Sequence, residues 1–483
     1  MQVNGKKVLV LGGGKSGISA VKFLLERGAA VDLYDGNAER KPQYDEISEA
    51  GFILGKSPDL GSVSYDFAVV SPGIPLTNAV VESLQESNIP IMGELELASR
   101  FLTCDIIGIT GTNGKTTTTT LVGEILKNAG FRTFVGGNIG TPLLKAVGQD
   151  YEYCVVEMSS FQLETISLLD AKVSLYLNLT PDHLDRHGSM EGYLAAKGNL
   201  AVKQSKQHFT VLNYDDPYLV TLEDQTRSHC VFFSSEEYLY EGTCVHNGEI
   251  YFSAGTDGER EFIMKRDEIH LPGPHNLENA LGAITVAKLL GVDTKVIRNT
   301  LKTFEGVEHR LEDVATIKGV RYINDSKATN PDSVYKALAS YGTTPIILIA
   351  GGRNKGKSFD TLGKLIAEKV KYLILIGEAA EDIAKSAEKA DFHEYQIVEN
   401  LAAAVALAAE HGEKGDIVLL SPANASFDQF HSYEHRGEVF KDIVLNLKRG
   451  KNYARITSEE KTTLFSAPTV GNRPFVAWYH YGI

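Results

Sequence analysis

The run Gly111-Thr112-Asn113-Gly114-Lys115-Thr116-Thr117 gathers glycines, a lysine and hydroxyl side chains in one short stretch. Placed between a strand and a helix, it aims backbone N–H groups and a helix N-terminus at one point, which favours an anion. Lys115 is a point charge suited to β- and γ-phosphates, and the Thr116 hydroxyl can ligate Mg²⁺. Ile109 stands where a strict G-x-x-x-x-G-K-[ST] loop has its first glycine. A triphosphate-bound Mg²⁺ needs hard oxygen ligands, and Glu157, closing the apolar run 153–157, is one such donor. His183 and His187 lie four apart, a helical zinc spacing. Pro181 and Gly188 bracket them without a His-Glu-x-x-His arrangement, so a loop at an active-site rim is the better reading.

A second glycine run, Gly12-Gly13-Gly14-Lys15-Ser16-Gly17, matches G-x-G-x-x-G after a strand and before a helix. Asp35 ends the next strand, where an acidic residue meets a ribose in a dinucleotide site. Alone this suggests an NAD-dependent oxidoreductase. The block is short for a full dinucleotide fold, however, and precedes an independent nucleotide loop. A glycine loop here can instead hold a diphosphate belonging to a substrate, with Ser71-Pro72-Gly73-Ile74-Pro75 as a tight loop over the same crevice.

The elements that must position these residues are those of an α/β protein with mainly parallel sheets, because short β-branched runs alternate with helical segments. At 483 residues and roughly 150 residues per domain, about three domains are expected. They are an N-terminal Rossmann-like domain over 1–96, a central ATP-binding domain of P-loop ATPase type over 97–306, and a C-terminal Rossmann-like domain over 307–449. Strands are expected at 7–11, 31–35 and 66–70, then 105–110, 153–157 and 173–179, then 320–324, 346–350, 373–376 and 417–420. Residues 450–483 read as an extra tail, appended or disordered, with no assigned function.

Composition narrows the class. Net charge is −14, which argues against a general nucleic-acid binder. The N-terminus lacks the apolar core of a signal peptide, and no run approaches the roughly 18 apolar residues of a membrane span. Cys104, Cys154, Cys230 and Cys244 are too sparse for a disulfide framework and are expected to be reduced packing residues of a cytoplasmic protein.

Taken together, the motifs resemble the Mur ligase family of peptidoglycan synthesis. The resemblance rests on Gly111–Thr116, Glu157-Met-Ser-Ser-Phe-Gln-Leu163, Asn178-Leu-Thr-Pro-Asp-His-Leu-Asp185, His275-Asn276, His309-Arg310-Leu311-Glu312 and Asn324-Asp-Ser-Lys-Ala-Thr-Asn-Pro331. The first block with Ser71-Pro-Gly-Ile74, and Leu420-Ser-Pro-Ala-Asn-Ala-Ser-Phe-Asp-Gln-Phe430 before His435-Arg436-Gly437, resemble the branch that adds D-glutamate.

The resemblance implies ATP-dependent ligation of D-glutamate to UDP-N-acetylmuramoyl-L-alanine through an acyl-phosphate, in the cytoplasm, by a monomer using two Mg²⁺. Lys15, Ser16, Asp35, Ser71 and Gly73 would hold the UDP part, and Asn138 the muramoyl part. ATP would take Gly111 to Thr117, Asn276, Arg310 and Asp325. Thr116 and Glu157 would serve the first metal, His183 and Lys197 the second. Lys197 matches a lysine carbamoylated by CO₂; read from the residues alone it is a solvated helix lysine. Catalytic roles fall on Lys115, His183, Lys197 and Lys327, and the D-glutamate pocket on Thr329, Lys355, Ser426, Phe427 and Tyr433. Ligands on separate domains imply a closure movement about a hinge near 304–306. Folylpolyglutamate synthetase, a related glutamate ligase, lacks the first block; a non-catalytic nucleotide-binding regulator would commonly have lost a metal or lysine position.

Overall fold

The computed structural model describes residues 1–38, 45–255, 260–353 and 359–449. Lys355 and the 450–483 tail lie outside the described residues. The chain divides into two compact units, residues 1–307 and residues from 308 onward. The first unit carries two of the three sheets, and the Phe304–Gly306 connector lies just before its end.

The first sheet holds β1 (Lys7–Leu11), β2 (Ala30–Asp35), β3 (Gly51–Leu54), β4 (Phe67–Val70) and β5 (Ile91–Met92), in the all-parallel order β3-β2-β1-β4-β5. Val8 to Leu11 and Phe67 to Val70 are buried, as continuous apolar runs covered on both faces should be. β3 and β5 add to the two later strands read from sequence. Both are short, and β3 is only partly buried. The order reverses between β1 and β4, so a crevice opens beyond their C-terminal ends, where open α/β sheets take ligands.

The central sheet holds β6 (Asp105–Thr110), β7 (Thr133–Gly137), β8 (Tyr153–Glu157), β9 (Val173–Tyr176), β10 (Phe209–Asn213), β11 (His229–Ser234), β12 (Gly242–His246), β13 (Glu249–Ser253) and β14 (Glu261–Lys265). Its order is β14-β13-β12-β11-β10-β9-β6-β8-β7. β6 therefore lies between β8 and β9, while β12, β13 and β14 form an antiparallel edge. The expected strand over 173–179 ends at Tyr176, because Asn178 is drawn into the phosphate loop.

The short helix Glu94–Ser99 joins the first sheet to the central one through two buried carboxylates. Glu96 accepts from Ser167 N, Leu168 N and Leu169 N at 2.8, 3.0 and 3.1 Å, and pairs with Arg100. Glu94 accepts from Leu144 N at 2.7 Å. All four cysteines are free thiols, with Cys104 and Cys154 in Sγ–Sγ contact at 3.1 Å.

The second unit is built on β15 (Glu312–Ile317), β16 (Val320–Asn324), β17 (Ile346–Gly351), β18 (Val370–Ile376), β19 (Tyr395–Ile397) and β20 (Ile417–Ala423). The order is β15-β16-β20-β17-β18-β19, parallel except for β15. The sequence pattern missed β15 and β19, whose residues are mostly half-buried or exposed.

Candidate active site

β6 ends at Thr110 and the chain turns through Gly111 (φ +150°) and Gly114 (φ +83°) into the helix Lys115–Asn128. A Cβ on Gly114 would meet Asn279 Oδ1 at 2.2 Å, so both φ and packing require glycine. Asn178, just past β9, ties the loop from the next strand. Asn113 N donates to its Oδ1 at 2.9 Å, its Nδ2 donates to Asn113 O at 3.2 Å, and Thr112 N donates to its carbonyl at 2.9 Å. The cradle is thus fixed from outside itself, without the first glycine of the strict pattern. Lys115 Nζ donates to Gly111 O at 2.9 Å and Thr112 O at 2.8 Å, lying across the turn.

Parallel register puts Glu157 beside this loop, since β8 pairs with β6 at Ile109↔Glu157. Thr116 Oγ1 donates to Glu157 Oε2 at 2.8 Å, and Asn138 Nδ2 donates to Oε1 at 2.9 Å. Glu157 is 3% exposed. A hydroxyl and a buried carboxylate converging at a helix N-terminus are the hard-oxygen donors that Mg²⁺ takes beside a phosphate. The residues fit both groups.

Lys197 corrects the sequence reading. It is 1% exposed on the helix Met190–Val202, not solvated. Its Nζ donates to Gly111 O at 2.8 Å and lies 4.6 Å from the Tyr193 ring centroid. Burial first, then the nearby Lys115 charge, hold its amine well below the ordinary lysine range, against the pull of Asp182 and Glu157. The signal was present: Tyr193, Ala196, Lys197, Leu200 and Ala201 share the buried helical stripe.

His183 takes a left-handed conformation (φ +53°), its ring edge-on to Phe161 with the centroids 4.8 Å apart. Burial lowers its pKa, with Asp182 and Asp185 pulling the other way. His187 does not join it as a zinc ligand. Its Nε2 contacts Ser160 Oγ at 3.0 Å and its ring stacks on Tyr193.

At the crevice of the first sheet, Asp35 accepts from Gly13 N at 2.8 Å and Asn37 N at 2.9 Å. Asp35 thus shapes the glycine loop. Ser71 Oγ donates to Gly12 O at 3.1 Å, joining the two loops. Lys15 is exposed at the start of the helix Lys15–Leu25, with Ser16 half-buried. Asn276 is buried at the start of the helix Pro274–Leu289 and accepts from Asn279 Nδ2 at 3.2 Å. Asn279, which touches Gly114, was not singled out by the sequence.

In the second unit, Asp325 is buried and accepts from Ser421 Oγ at 2.8 Å and Leu311 N at 3.3 Å. Burial raises its carboxyl to about 7, against the opposing pull of Arg310. Arg310 Nε is buried without a hydrogen-bond partner among the described residues, a donor suited to an anionic ligand. Lys327 Nζ lies 5.5 Å from the Tyr433 ring centroid. Ser426 is buried, whereas Thr329 and Phe427 are exposed. Arg436, 1% exposed, was passed over as to role. It donates to Ser326 Oγ at 3.0 Å, Ser326 O at 2.8 Å and Asn424 O at 3.2 Å, tying the loop after β16 to the loop after β20.

Comparison with known proteins places the chain as a whole. Three family models match in chain order: the Mur ligase MurD-like N-terminal domain over residues 6–93, the Mur ligase middle domain over 109–287 and the Mur ligase glutamate ligase domain over 309–424. The UDP-N-acetylmuramoylalanine–D-glutamate ligase of Pelotomaculum thermopropionicum is 49% identical over 92% of this chain and 98% of its own length. That of Clostridioides difficile is 45% identical over 93% and 100%. Among solved structures, the UDP-N-acetylmuramate–alanine ligase of Thermotoga maritima matches at TM-score 0.57 and 18% identity, over 92% of this chain and 100% of that one. It speaks for the fold alone. With its glycine cradle, its Thr116–Glu157 pair and these relatives along nine-tenths of its length, the chain belongs to the Mur ligase family.

Proposed function

We propose that this chain joins D-glutamate to UDP-N-acetylmuramoyl-L-alanine, with ATP activating the alanyl carboxylate as an acyl-phosphate. The family is ATP-dependent and uses Mg²⁺, and the close relatives carry that ligase name. A carboxylate does not react with an amine at neutral pH because its leaving group is too poor; phosphorylation supplies a good one. Both reactants are anions, so positive charge must gather where they meet.

The observation that carries the reading is Lys197, buried against the Gly111 carbonyl within reach of the Lys115 and Glu157 charges. A neutral amine is the form that attacks CO₂, losing a proton as the N–C bond of a carbamate forms. Burial of Lys197 favours that form. The resulting anion would sit among cations and offer oxygens to a second Mg²⁺, with His183 beside it. Thr116 and Glu157 would hold the first. Mg²⁺ neutralises phosphate charge. Lys115 crosses the β/γ-phosphate position, and Asn138 extends the Glu157 cluster toward the muramoyl end.

Lys15, Ser16, Asp35, Ser71 and Gly73 form the UDP cradle at the β1/β4 crevice, while Asn276 and Asn279 flank the ATP loop. By the family resemblance, Arg310, Asp325 and Lys327 would serve the nucleotide, and Thr329, Lys355, Ser426, Phe427 and Tyr433 D-glutamate. The free carboxylates of D-glutamate call for a cation, a role for Lys355. The enzyme would work as a cytoplasmic monomer, as the family resemblance implies; among the described residues no helix is long and apolar enough to cross a membrane.

The test is phosphate release with UDP-N-acetylmuramoyl-L-alanine and, in turn, D-glutamate, L-glutamate, L-lysine and meso-diaminopimelate. D-Glutamate is expected to support turnover at least about a hundredfold better than the others. Equal rates would overturn the substrate assignment, and tight NAD(H) binding without ATP turnover would replace it with the oxidoreductase reading of Gly12 to Gly17.

A further inference from the structure

Arg186 lies three residues past His183 on the short helix Leu184–His187, and its side chain is only 14% exposed. Its guanidinium reaches from the central sheet to the first. Nη1 donates to Pro72 O at 2.8 Å and Nη2 to Ile74 O at 3.4 Å, the carbonyls on either side of Gly73. Glu164 takes the other edge of the fork, with Nη2 to Oε2 at 2.5 Å and Nε to Oε1 at 3.3 Å. Below it, the guanidinium carbon lies 4.0 Å from the Phe161 ring centroid. Phe161 is the ring that packs against His183.

A planar fork meeting a carboxylate on one edge and two carbonyls on the other fixes both in orientation, which a lysine cannot do. The loop it grips is already a tight turn, closed by Ile74 N donating to Ser71 O at 3.0 Å, with Ser71 bonded to the Gly12 carbonyl. Seating of the first sheet on the central one does not depend on this contact, since Glu94 and Glu96 anchor elsewhere. What Arg186 adds is a direct link between the loop carrying Gly73 and the segment carrying His183.

We propose that Arg186 is a positioning residue for the nucleotide-sugar substrate: it holds the Ser71–Ile74 loop in its binding form and, through Phe161, sets the His183 ring relative to it. The inference rests on the reading of that crevice as the UDP site. ATP binding, which uses the Gly111–Thr116 cradle, does not pass through this contact.

The experiment measures KM for UDP-N-acetylmuramoyl-L-alanine and for ATP, with the dissociation constant of UDP alone, in wild type, Arg186→Ala and Arg186→Lys. Arg186→Ala is expected to raise KM for the nucleotide sugar and Kd for UDP about tenfold or more, leaving KM for ATP within about twofold. Arg186→Lys, which keeps the charge over Phe161, is expected to fall between, and guanidinium ion in the assay is expected to restore part of the loss in the alanine variant. If Arg186→Ala does not fold, Arg186→Lys carries the same comparison. Equal changes in the two KM values, or no change in either, would overturn the proposal. Failure of wild type to bind UDP or turn over the nucleotide sugar would instead sink the functional reading beneath it.

Discussion

Lys197 Nζ donates to the Gly111 carbonyl at 2.8 Å, so the buried lysine and the first turn of the phosphate cradle are one hydrogen-bonded unit. Lys115 Nζ donates to that same carbonyl at 2.9 Å. Two lysines on one oxygen, with Glu157 and Asp182 nearby, form a charge cluster that carbamoylation of Lys197 would rebalance.

Lys197→Ala is therefore expected to lose activity by about a hundredfold or more. Added short-chain carboxylates should recover part of it by placing an anion in the vacated space, and removing bicarbonate should slow wild type but not the rescued variant. Initial rates with and without acetate or formate check this. No rescue, with wild type indifferent to bicarbonate, counts against the carbamate.

Gly114→Ala should weaken ATP binding. Left-handed backbone costs a residue with a Cβ about 1–2 kcal/mol, about a tenfold effect by itself, and the new methyl would press on Asn279 Oδ1. Calorimetric titration with a non-hydrolysable ATP analogue is the measurement. Unchanged affinity would mean that the loop does not bind nucleotide in this form.

Glu94 gives a pH signature remote from catalysis. Burial raises its carboxyl to about 7 from 4.5, opposed by the Leu144 and Leu143 amides. A carboxyl with a raised pKa in the fold binds its proton more tightly folded than unfolded. Its contribution is fully present below about pH 4.5 and is lost as pH rises through 7. Glu94→Gln, which keeps the acceptor and cannot ionise, should match wild type below about pH 4 and exceed it near pH 8 by about 3 kcal/mol at most. Thermal or urea unfolding at the two pH values decides; equal stabilities at pH 8 would show that Glu94 ionises without cost.

Arg436→Lys should reach the second unit's site from behind. Burial pulls this guanidinium down to about 10, and it bonds Ser326 and Asn424 at once. A lysine cannot span both loops, and a buried acceptor left unsatisfied costs about 1–3 kcal/mol. Loss of stability should accompany a rise in KM for D-glutamate larger than that for the nucleotide sugar. Equal rises would assign Arg436 to stability alone.

How far the sequence reached follows from where its signals were strong. β1, β4, β6, β8, β16, β17 and β20 are buried and apolar, so their runs were legible. β3, β15 and β19 lie at sheet edges with mixed burial, where no clean alternation survives. The glycine cradle was visible despite Ile109, but what fixes it, the Asn178 side chain, comes from another strand and has no local signature. Lys197 was misread because a cation on a helix is usually solvated; its place in the stripe with Tyr193, Ala196, Leu200 and Ala201 pointed inward. Arg186 carried no pattern at all, since its partners at Pro72 and Ile74 are backbone carbonyls more than a hundred residues away. Sequence spacing cannot foresee such a contact.

The two buried carboxylates of the helix Glu94–Ser99 give the first unit the character of a yardstick. Glu96 gathers three successive amides, and Glu94 a fourth, so the crevice at β1/β4 and the turn at the end of β6 share one frame. A molecule gripped by its diphosphate in that crevice, as proposed, would present its far carboxylate at a set reach. One amino-acid residue spans at most about 3.5 Å. A UDP-sugar acid lacking the alanyl residue would end that far short of the phosphate being transferred, and one with a further residue would overshoot it. On the proposed reading of the crevice as the UDP site, discrimination among precursors that differ only in the number of residues already added is expected to come from length.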